Sequence, residues 1–571
     1  MKTTSFCMKK FNSMLLSATI IMIVVIVLQI SDLAIAGNIV GEDAIAAINV
    51  LRNPFMLVLG LCSIVSQGSS LLYSYKMGEF DKDGADKIFG QGLIGSLVLC
   101  VLILMLGLFG LDVYFNFVNA SEQITALAKD FCVYYVPLLA VYPVYMYLAA
   151  MVYADGDENL SLIANLFLIL GNIVLSILFA LKMGVAGISL GSLVGVATCM
   201  LVTAFHFFKK TNSLKFKFFV SLKSLWQVAR FSFVDAGVYI YFAIQGLIIT
   251  KLIVQRFGAE NLAVYSIVVS IWLLTLIFDG VGQAFSPLVN VYRGEKNPLG
   301  VRRVMKGALK IACIEGVVMT ALLFGFADFV PLAFDIETPA LAKSSIRAVR
   351  LSCIGLTATS VLFLISSYFL LLTKIKHAVL ICFFKDLLMP VAFALPFSAI
   401  WGMDGIWIGF SAGAVAALIA SVAVTWLILG KNGFPLYLES SNGKIFCFDF
   451  YITVEEIMSH RELVAELLAQ NNVSKRTIMR SMLLIEEVFM LIKEKNSGKL
   501  LMAEMTVFLE EDKVRIIMRD DGEIFNITDS DDSVISFRSF FVSSLMSDQG
   551  PRKNLTTMSF NRNMFVLPLN S

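Results

Sequence analysis

Apolar runs, each long enough to cross a bilayer, fill most of the first 430 positions of the chain. A membrane-spanning helix needs about 20 mainly apolar residues, and charged or turn-forming residues separate the runs. Each run therefore predicts one transmembrane helix. The predicted spans are 13–36, 52–75, 89–112, 131–153, 160–181 and 185–208, followed by 232–255, 263–288, 306–330, 350–372, 377–398 and 405–429.

The pattern changes after Lys431, where the apolar runs become short and charged residues become frequent. Alternating segments bounded by turn residues are typical of strands, and longer segments with helical periodicity are typical of helices. Residues 445–571 therefore predict a soluble α+β domain. Its predicted elements are a strand at IFCFDFYI, helices near 454–470 and 474–496, and strands at LMAEMTVFL, KVRIIMRD and NMFVLPL.

Two passages of the membrane region each recur later in the chain with a similar sequence. SQGSSLLYSYKMGE at 66–79 matches GQAFSPLVNVYRGE at 282–295 with an offset of 216, and GVAGISLG at 184–191 matches GMDGIWIG at 402–409 with an offset of 218. The nearly constant offset indicates an internal duplication of a six-helix unit. An even number of spans per unit makes the two copies parallel.

These patterns predict an all-α polytopic membrane protein with twelve transmembrane helices in two parallel six-helix repeats and a C-terminal cytoplasmic α+β domain. The predicted boundaries are 1–212 for the first lobe, 213–435 for the second lobe and 440–571 for the soluble domain.

Composition agrees with a membrane protein, since 58% of the residues are hydrophobic and 15% are charged, against about 25% charged in soluble domains. A net charge of +2 gives no reason to expect a nucleic-acid partner. The nine cysteines and three histidines lack metal-ligand spacing, so we expect no metal site and no disulfide framework. Alternate loops carry 19 and 8 Lys and Arg residues, which predicts that both termini are cytoplasmic.

Ionisable residues inside spans are costly and therefore point to function. Asp32 in LQISDLAIAG is the clearest case, and its alternative is a carboxylate that reaches the outer membrane interface. Asp235, Asp279 and Asp386 are further candidates, and Asp386 follows Lys385, which suggests an internal ion pair.

The sequence SDLAIAGNIVGEDAIAAINV resembles the first-helix signature of the multidrug and toxin extrusion (MATE) transporters, and YADGDENLSLIANLFLILGNIVLSILF resembles their fourth-to-fifth helix segment. The resemblance covers roughly residues 10–430. It implies a transporter of the bacterial plasma membrane that exports amphiphilic or cationic small molecules by H⁺ or Na⁺ antiport, without a further cofactor.

The resemblance also implies site residues. Cation coupling falls on Asp32, Asn172, Ser176 and Ser192, and the cavity candidates are Asp235, Asp279, Gln67 and Gln283. The family often has Asp where this chain has Ser176, so the site carries one negative charge instead of two. Both H⁺ and Na⁺ coupling therefore stay open.

The tail resembles the GHKL ATPase fold of anti-sigma-factor-type kinases through RSMLLIEEVFMLIKEKN and VRIIMRDDGEIFNITD. Glu487, Asp520 and Gly522 take places of the nucleotide site, but Leu491 stands where the Mg²⁺-binding Asn belongs, and SFFVSSLMSDQG lacks the glycine-rich lid. Mg²⁺ requires oxygen ligands, so we expect no ATP hydrolysis. Weak nucleotide binding and docking of a cytoplasmic protein are the open alternatives.

Two other functions remain open at the level of sequence. The membrane region could sense a ligand and signal through the tail, or it could flip a lipid-linked substrate. Two further spans or a basic central cavity would favour the flippase, and neither is apparent in the sequence.

Overall fold

The computed structural model describes residues 5–118, 122–258, 261–334, 336, 338–432, 434–438, 443–525, 538, 542, 553–556, 558 and 560–569. Within these ranges eleven helices are long and apolar enough to cross a membrane, and a bent helix pair makes a twelfth span. The predicted fold class, a polytopic helical protein followed by a small α+β domain, is confirmed.

The first lobe consists of six spans and one short helix. Several helices extend beyond the predicted spans, because polar residues continue them past the apolar layer. The helices are α1 (Phe6–Ile35, followed by a π-helical turn Ala36–Val40), α2 (Glu42–Val50), α3 (Arg52–Gly78), α4 (Lys82–Val118), α5 (Glu122–Ala154), α6 (Glu158–Met183) and α7 (Val185–Ala204).

The second lobe follows an irregular segment, and its spans are more often broken. The first break is a 3₁₀ turn, Leu273–Leu276, between α9 and α10, and the second is a 46° bend between α13 and α14. A π-helical turn, Phe384–Leu388, separates α15 from α16. The helices are α8 (Leu222–Phe257), α9 (Leu262–Trp272), α10 (Ile277–Gly294), α11 (Pro298–Gly325), α12 (Val330–Ala333), α13 (Pro339–Cys353), α14 (Leu356–Leu371), α15 (Ile375–Phe383), α16 (Met389–Trp401) and α17 (Met403–Leu429).

The duplication is visible in the backbone of two helical hairpins, α6–α7 and α16–α17. Gly184 and Gly402 precede the second helix of each hairpin, with φ/ψ of 60°/−136° and 61°/−141°. Such positive φ values favour glycine. A Cβ atom at Gly187 or at Gly405 would overlap the backbone of the preceding helix. The repeated glycines therefore let the two helices of each hairpin approach closely.

In its described residues the soluble domain is a five-stranded antiparallel sheet with two helices on one face. The strands follow the order β1-β2-β3-β5-β4. The predicted elements agree with the structure to within two residues. The elements are β1 (Lys444–Tyr451), α18 (Val454–Gln470), α19 (Lys475–Lys495), β2 (Met502–Leu509), β3 (Lys513–Asp520), β4 (Lys553–Asn554) and β5 (Asn561–Pro568).

Both faces of this sheet are covered. The helices α18 and α19 pack on one face, around side chains such as Val488, Met505 and Phe565. The other face packs on the membrane helices through a cluster that includes Phe80 and Ile517. Every residue of β2 is buried for this reason. We call the end of the helix bundle that carries this domain the tail side, and the opposite end the far side.

Candidate functional site

A polar cluster lies inside the first lobe, where α1, α6 and α7 pack together. Asp32 lies on α1, four residues before the π-helical turn Ala36–Val40. Asn172 on α6 and Ser192 on α7 are buried, with exposures of 3% and 7%. The structure thus brings three of the four residues predicted for cation coupling into one place.

Hydrogen bonds connect the three side chains. The Asn172 Nδ2 donates to the Ser192 Oγ over 2.7 Å. The Ser192 hydroxyl lies 3.3 Å from the Asp32 Oδ2 and 3.2 Å from the carbonyl oxygen of Ile188. A hydroxyl has one proton to donate, so Ser192 can satisfy only one of these two acceptors at a time.

Two oxygen atoms of the cluster have no hydrogen-bond partner among the described residues. The Asp32 Oδ1 and the Asn172 Oδ1 are buried and accept no hydrogen bond from any residue that the structure describes. A buried acceptor without a partner is costly. Carboxylate, amide and hydroxyl oxygens are also the ligands that hard cations prefer. The cluster therefore suits either a proton on Asp32 or a small cation held among the three side chains.

Ser176 does not join this cluster. Its hydroxyl donates to the Ile188 carbonyl over 3.1 Å, and a Cβ atom at Gly191 would overlap its Oγ. Its position suits close packing of α6 on α7.

The equivalent positions of the second lobe do not repeat Asn172 and Ser192. The offset of 218 places Pro390 at the position of Asn172 and Phe410 at the position of Ser192. The hairpin α16–α17 forms with these apolar residues, so the hairpin fold does not need the polar ones. Formation of the hairpin therefore does not explain why Asn172 and Ser192 are polar.

The other predicted cavity residues lie on three helices: Asp279 and Gln283 on α10, Gln67 on α3 and Asp235 on α8. The Gln283 Nε2 donates to the Asp279 Oδ2 over 3.1 Å and lies 3.8 Å from the Met22 Sδ on α1. Gln67 is half-buried on α3. The side chain of Asp235 lies outside the described residues. Neither Asp279 nor Gln283 has a described hydrogen bond to the first-lobe cluster.

Two further carboxylates, the candidate Asp386 and Glu315, are partly buried. Asp386 forms an ion pair with the buried Lys385 over 2.6 Å, which the neighbouring positions had suggested. Glu315 on α11 has a buried Oε2 without a partner among the described residues. Glu315 is a lone acidic residue within the apolar run of α11, and this pattern could have identified it as a candidate.

The loop between α5 and α6 holds a network that the sequence reasoning also missed. His206 has no partner at metal-ligand spacing in the sequence, but its Nδ1 lies 2.9 Å from a carboxylate oxygen of Asp157 and its Nε2 lies 3.0 Å from one of Asp155. Burial would raise the pKa of Asp157, but hydrogen bonds from His206 and Lys209 lower it to about 2. The Tyr73 hydroxyl donates to Asp155 over 2.7 Å. This network fastens α3, α5 and α7 together at the tail side.

In the soluble domain, Asp520 lies in an enclosed polar pocket. Its Oδ1 accepts hydrogen bonds of 3.0 Å from the Gly522 amide and from the Asn561 side chain, while its Oδ2 is buried without a described partner. Burial raises the pKa of Asp520 to about 7, although these hydrogen bonds act in the opposite direction.

The other two residues of the predicted nucleotide site are engaged elsewhere. The Glu487 carboxylate forms an ion pair with Arg538 over 2.5 Å. Leu491 is fully buried in the core between the helices and the sheet. A leucine in that position offers no oxygen to a metal ion.

Comparisons with known proteins agree with the helical part of the chain. The family model described as MatE matches twice, over residues 18–178 and 238–394, and the two matches together cover more than half of the chain. The repeated match follows the internal duplication. No curated protein is similar enough to match.

Several solved structures share the fold. An outward-facing multidrug resistance MATE family transporter of the MOP superfamily has a TM-score of 0.68 and 22% identity, covering 73% of this chain and 95% of that one. A MOP superfamily transporter from Pyrococcus furiosus gives the same four values. A MATE structure in a bent conformation has a TM-score of 0.65 and 22% identity, covering 74% of this chain and 95% of that one.

Proposed function

Because the chain belongs to the multidrug and toxin extrusion (MATE) family of multi-pass membrane transporters, we propose that it exports amphiphilic or cationic small molecules in exchange for H⁺ or Na⁺. The observation that carries this proposal is the buried Asp32 Oδ1, which has no hydrogen-bond partner among the described residues and lies beside Asn172 and Ser192. A carboxylate buried in a span without a counter-charge is costly. Binding a proton or a cation removes that cost, and such a group suits ion coupling.

The arrangement of the lobes supports transport by alternating access. Parallel repeats commonly hold substrate between them and rock against each other. The two repeated passages, on α3 and α10, pack against each other at the tail side, where the Asn290 side chain donates to the Leu71 carbonyl over 3.2 Å. Opening that end requires these two helices to separate.

Both coupling ions remain consistent with the donor set. A proton needs only the Asp32 carboxylate, whereas Na⁺ needs several oxygens. Asp32, Asn172 and Ser192 supply such oxygens, but only one negative charge. The proposal therefore names the site and leaves the ion to measurement.

The tail side is proposed to face the cytoplasm of a bacterial cell. The loops at that side carry 19 of the 27 counted Lys and Arg residues, and such an excess is typical of cytoplasmic loops. The soluble domain then acts as a regulatory cytoplasmic tail without ATP hydrolysis. The buried Leu491 and the Glu487–Arg538 ion pair favour that role. Nucleotide or protein binding by the domain is an open part of the proposal.

The test is export of a fluorescent organic cation from proteoliposomes with either a pH gradient or a Na⁺ gradient imposed. We expect Asp32→Asn to lower gradient-driven export at least tenfold, since the amide cannot exchange a proton or neutralise a cation. The matched control is Asp112→Asn, because Asp112 is 79% exposed and pairs with Lys129. Equal export by Asp32→Asn and the unmodified chain under both gradients would disprove the coupling role.

A further inference from the structure

The two lobes meet at the tail side through the repeated passages. Gly78 ends α3 and Gly294 ends α10. A Cβ atom at Gly78 would overlap the Val291 carbonyl and come within 2.9 Å of the Gly294 Cα. A Cβ atom at Gly294 would overlap the Tyr75 carbonyl. This close glycine contact marks the tail-side closure between the lobes.

The soluble domain presents a row of charged side chains to this closure. Glu504 on β2 pairs with Arg519 on β3, and Arg519 pairs with Arg562 on β5, in the register of the sheet. Side chains directly opposite each other in paired strands lie on the same face. The row faces the membrane helices, and Arg562, Glu504 and Arg519 have exposures of 0%, 2% and 5%.

The row binds the second lobe through Glu295 and Tyr292. Glu295 follows α10 and accepts from both Arg519 and Arg562, the latter over 3.0 Å. The Tyr292 hydroxyl donates to Glu504 over 2.7 Å, and Arg519 also donates to Glu504. Two arginines and two glutamates thus balance each other in a buried cluster, as buried charges require.

Arg562 also binds the first lobe. Its guanidinium donates to the Met77 carbonyl at the end of α3 and lies 3.7 Å from the ring centroid of Phe80. A single buried arginine of the domain therefore contacts the ends of α3 and α10 at once. If those ends separate, Arg562 loses either Met77 or Glu295.

The pseudo-symmetric glutamate of the first lobe has a different partner. Glu79 corresponds to Glu295 at the offset of 216, but it forms an ion pair with Lys76 over 2.8 Å. Additional contacts fasten the domain to both lobes. Met558 packs directly against Gly156 of the first lobe, and Asp449 pairs with Arg303 of the second lobe over 2.7 Å.

We propose that the soluble domain is an intramolecular lock, which holds the tail-side ends of the two lobes closed through Arg562 and Glu295. The lock rests on the proposed function, because alternating access requires these ends to separate in each cycle. The domain must then release at least one lobe before the tail side opens. The strength with which the domain docks on the two lobes then regulates how readily the tail side opens.

Two measurements on the full-length chain test the lock without any substrate. The first is hydrogen–deuterium exchange of the amides in residues 71–79 and 288–295, the ends of α3 and α10. The second is alkylation of Cys7, which is 1% exposed and lies beside Arg519 and Phe560 of the docked domain. Cys199 in α7 is fully buried and serves as the internal reference for unfolding.

Two pairs of variants provide matched controls. Arg562→Met keeps an apolar stem over Phe80 but removes both polar contacts, and its control is Arg461→Met, whose ion pair with Glu486 lies within the domain. Glu295→Gln keeps the shape of the side chain, and its control is Glu79→Gln. We expect both lock variants to raise exchange at both helix ends and alkylation of Cys7 at least tenfold, with no change in either control.

The lock is disproved if Cys7 alkylation rises while exchange at the helix ends stays at the level of the controls, since the domain would then leave without opening the lobes. It is equally disproved if neither quantity changes. A rise in exchange while Cys7 stays protected would show release of the second lobe alone, which the lock allows. Should Arg562→Met unfold, as alkylation of Cys199 would reveal, Glu295→Gln decides the question. Failure of the proposed transport function would appear in the Asp32→Asn export test and would leave these two readouts unaffected.

Discussion

At the scale of single residues, substitution of the two serines of the α6–α7 hairpin is expected to affect ion coupling differently. Ser192→Ala removes the hydroxyl that links Asn172 to Asp32. Loss of one partner in a buried hydrogen-bonded group costs about 1–3 kcal/mol. We therefore expect the concentration of coupling ion that half-saturates export to change by roughly tenfold or more. Export measured at several pH values and Na⁺ concentrations tests this expectation.

Ser176→Ala is the matched control, because the Ser176 hydroxyl donates to the Ile188 carbonyl and has no described contact with Asp32. The second lobe has Ala394 at the equivalent position, so alanine is compatible with the hairpin. Equal effects of the two substitutions on ion dependence would contradict the assignment of Ser192 to the site and of Ser176 to packing.

A second residue-scale prediction concerns pH. Burial raises the pKa of Asp520 to about 7, far above that of an unfolded aspartate, so the folded domain holds the proton more tightly. Its stability should then fall as the pH rises from about 4 to about 7. Asp520→Asn removes this penalty, which is at most about 4 kcal/mol. We expect slower amide exchange in residues 513–520 for Asp520→Asn than for the unmodified chain at pH 8, with little difference near pH 4.5.

The control for Asp520→Asn is Asp512→Asn, because the Asp512 side chain is 79% exposed and its charge remains solvated. A stabilising effect of Asp520→Asn that is equally large at both pH values would show that the carboxylate does not titrate in this range.

At the scale of elements, the contact between α3 and α10 predicts a strong effect of added methyl groups. In Gly78→Ala and Gly294→Ala the new Cβ meets backbone of the opposing helix, which has no side-chain freedom to yield. Overpacking of this kind costs about 1–3 kcal/mol. We expect either substitution to separate the helix ends and to raise amide exchange in residues 71–79 and 288–295 roughly tenfold. Gly110→Ala is the control, since nothing lies within 4 Å of a Cβ there.

Most elements were predictable from the sequence, because their signals are local. The twelve apolar runs correspond to the observed spans, and the tail strands end within two residues of their predicted limits. The breaks in the second lobe were not predicted. The π-helical turn Phe384–Leu388 interrupts a span at the charged pair Lys385 and Asp386, and the bend between α13 and α14 falls at Ile354 and Gly355 within an apolar run. Hydropathy therefore predicts where a span lies but not where its helix is broken.

The candidate site was predictable in part. The cost of a carboxylate in a span identified Asp32, and the resemblance to a family added Asn172 and Ser192. The same reasoning placed Ser176 beside them, because residues four apart share a helix face. The structure instead turns the Ser176 hydroxyl toward the carbonyl of Ile188. The spacing along α6 predicts which helix face Ser176 lies on. It does not predict that the Ile188 carbonyl of α7 accepts the hydrogen bond from Ser176, because that contact depends on how α7 packs.

At the scale of the whole molecule, the docking of the soluble domain on the membrane helices could not be predicted from the sequence. Glu504 lies between Ala503 and Met505, and Arg519 follows Met518, which is typical of a sheet with one face in water. In the structure the charged face is buried against the lobes, since Glu295 and the Met77 carbonyl supply the partners. Residues up to 485 positions apart in the sequence form this contact, and no local pattern encodes such a pairing.

The last prediction concerns the orientation of the molecule in the membrane. Excess Lys and Arg in the tail-side loops favours a cytoplasmic tail side, because positively charged loops are retained in the cytoplasm. Lys499 of the soluble domain has a 60% exposed side chain, and Lys343 on α13 is exposed at the far side. A membrane-impermeant amine reagent should modify Lys499 in everted vesicles only and Lys343 in intact cells only, as peptide mapping would show. The reverse pattern would place the domain outside the cell, where it could not act as a cytoplasmic regulator, and would contradict the direction of export proposed for the transporter.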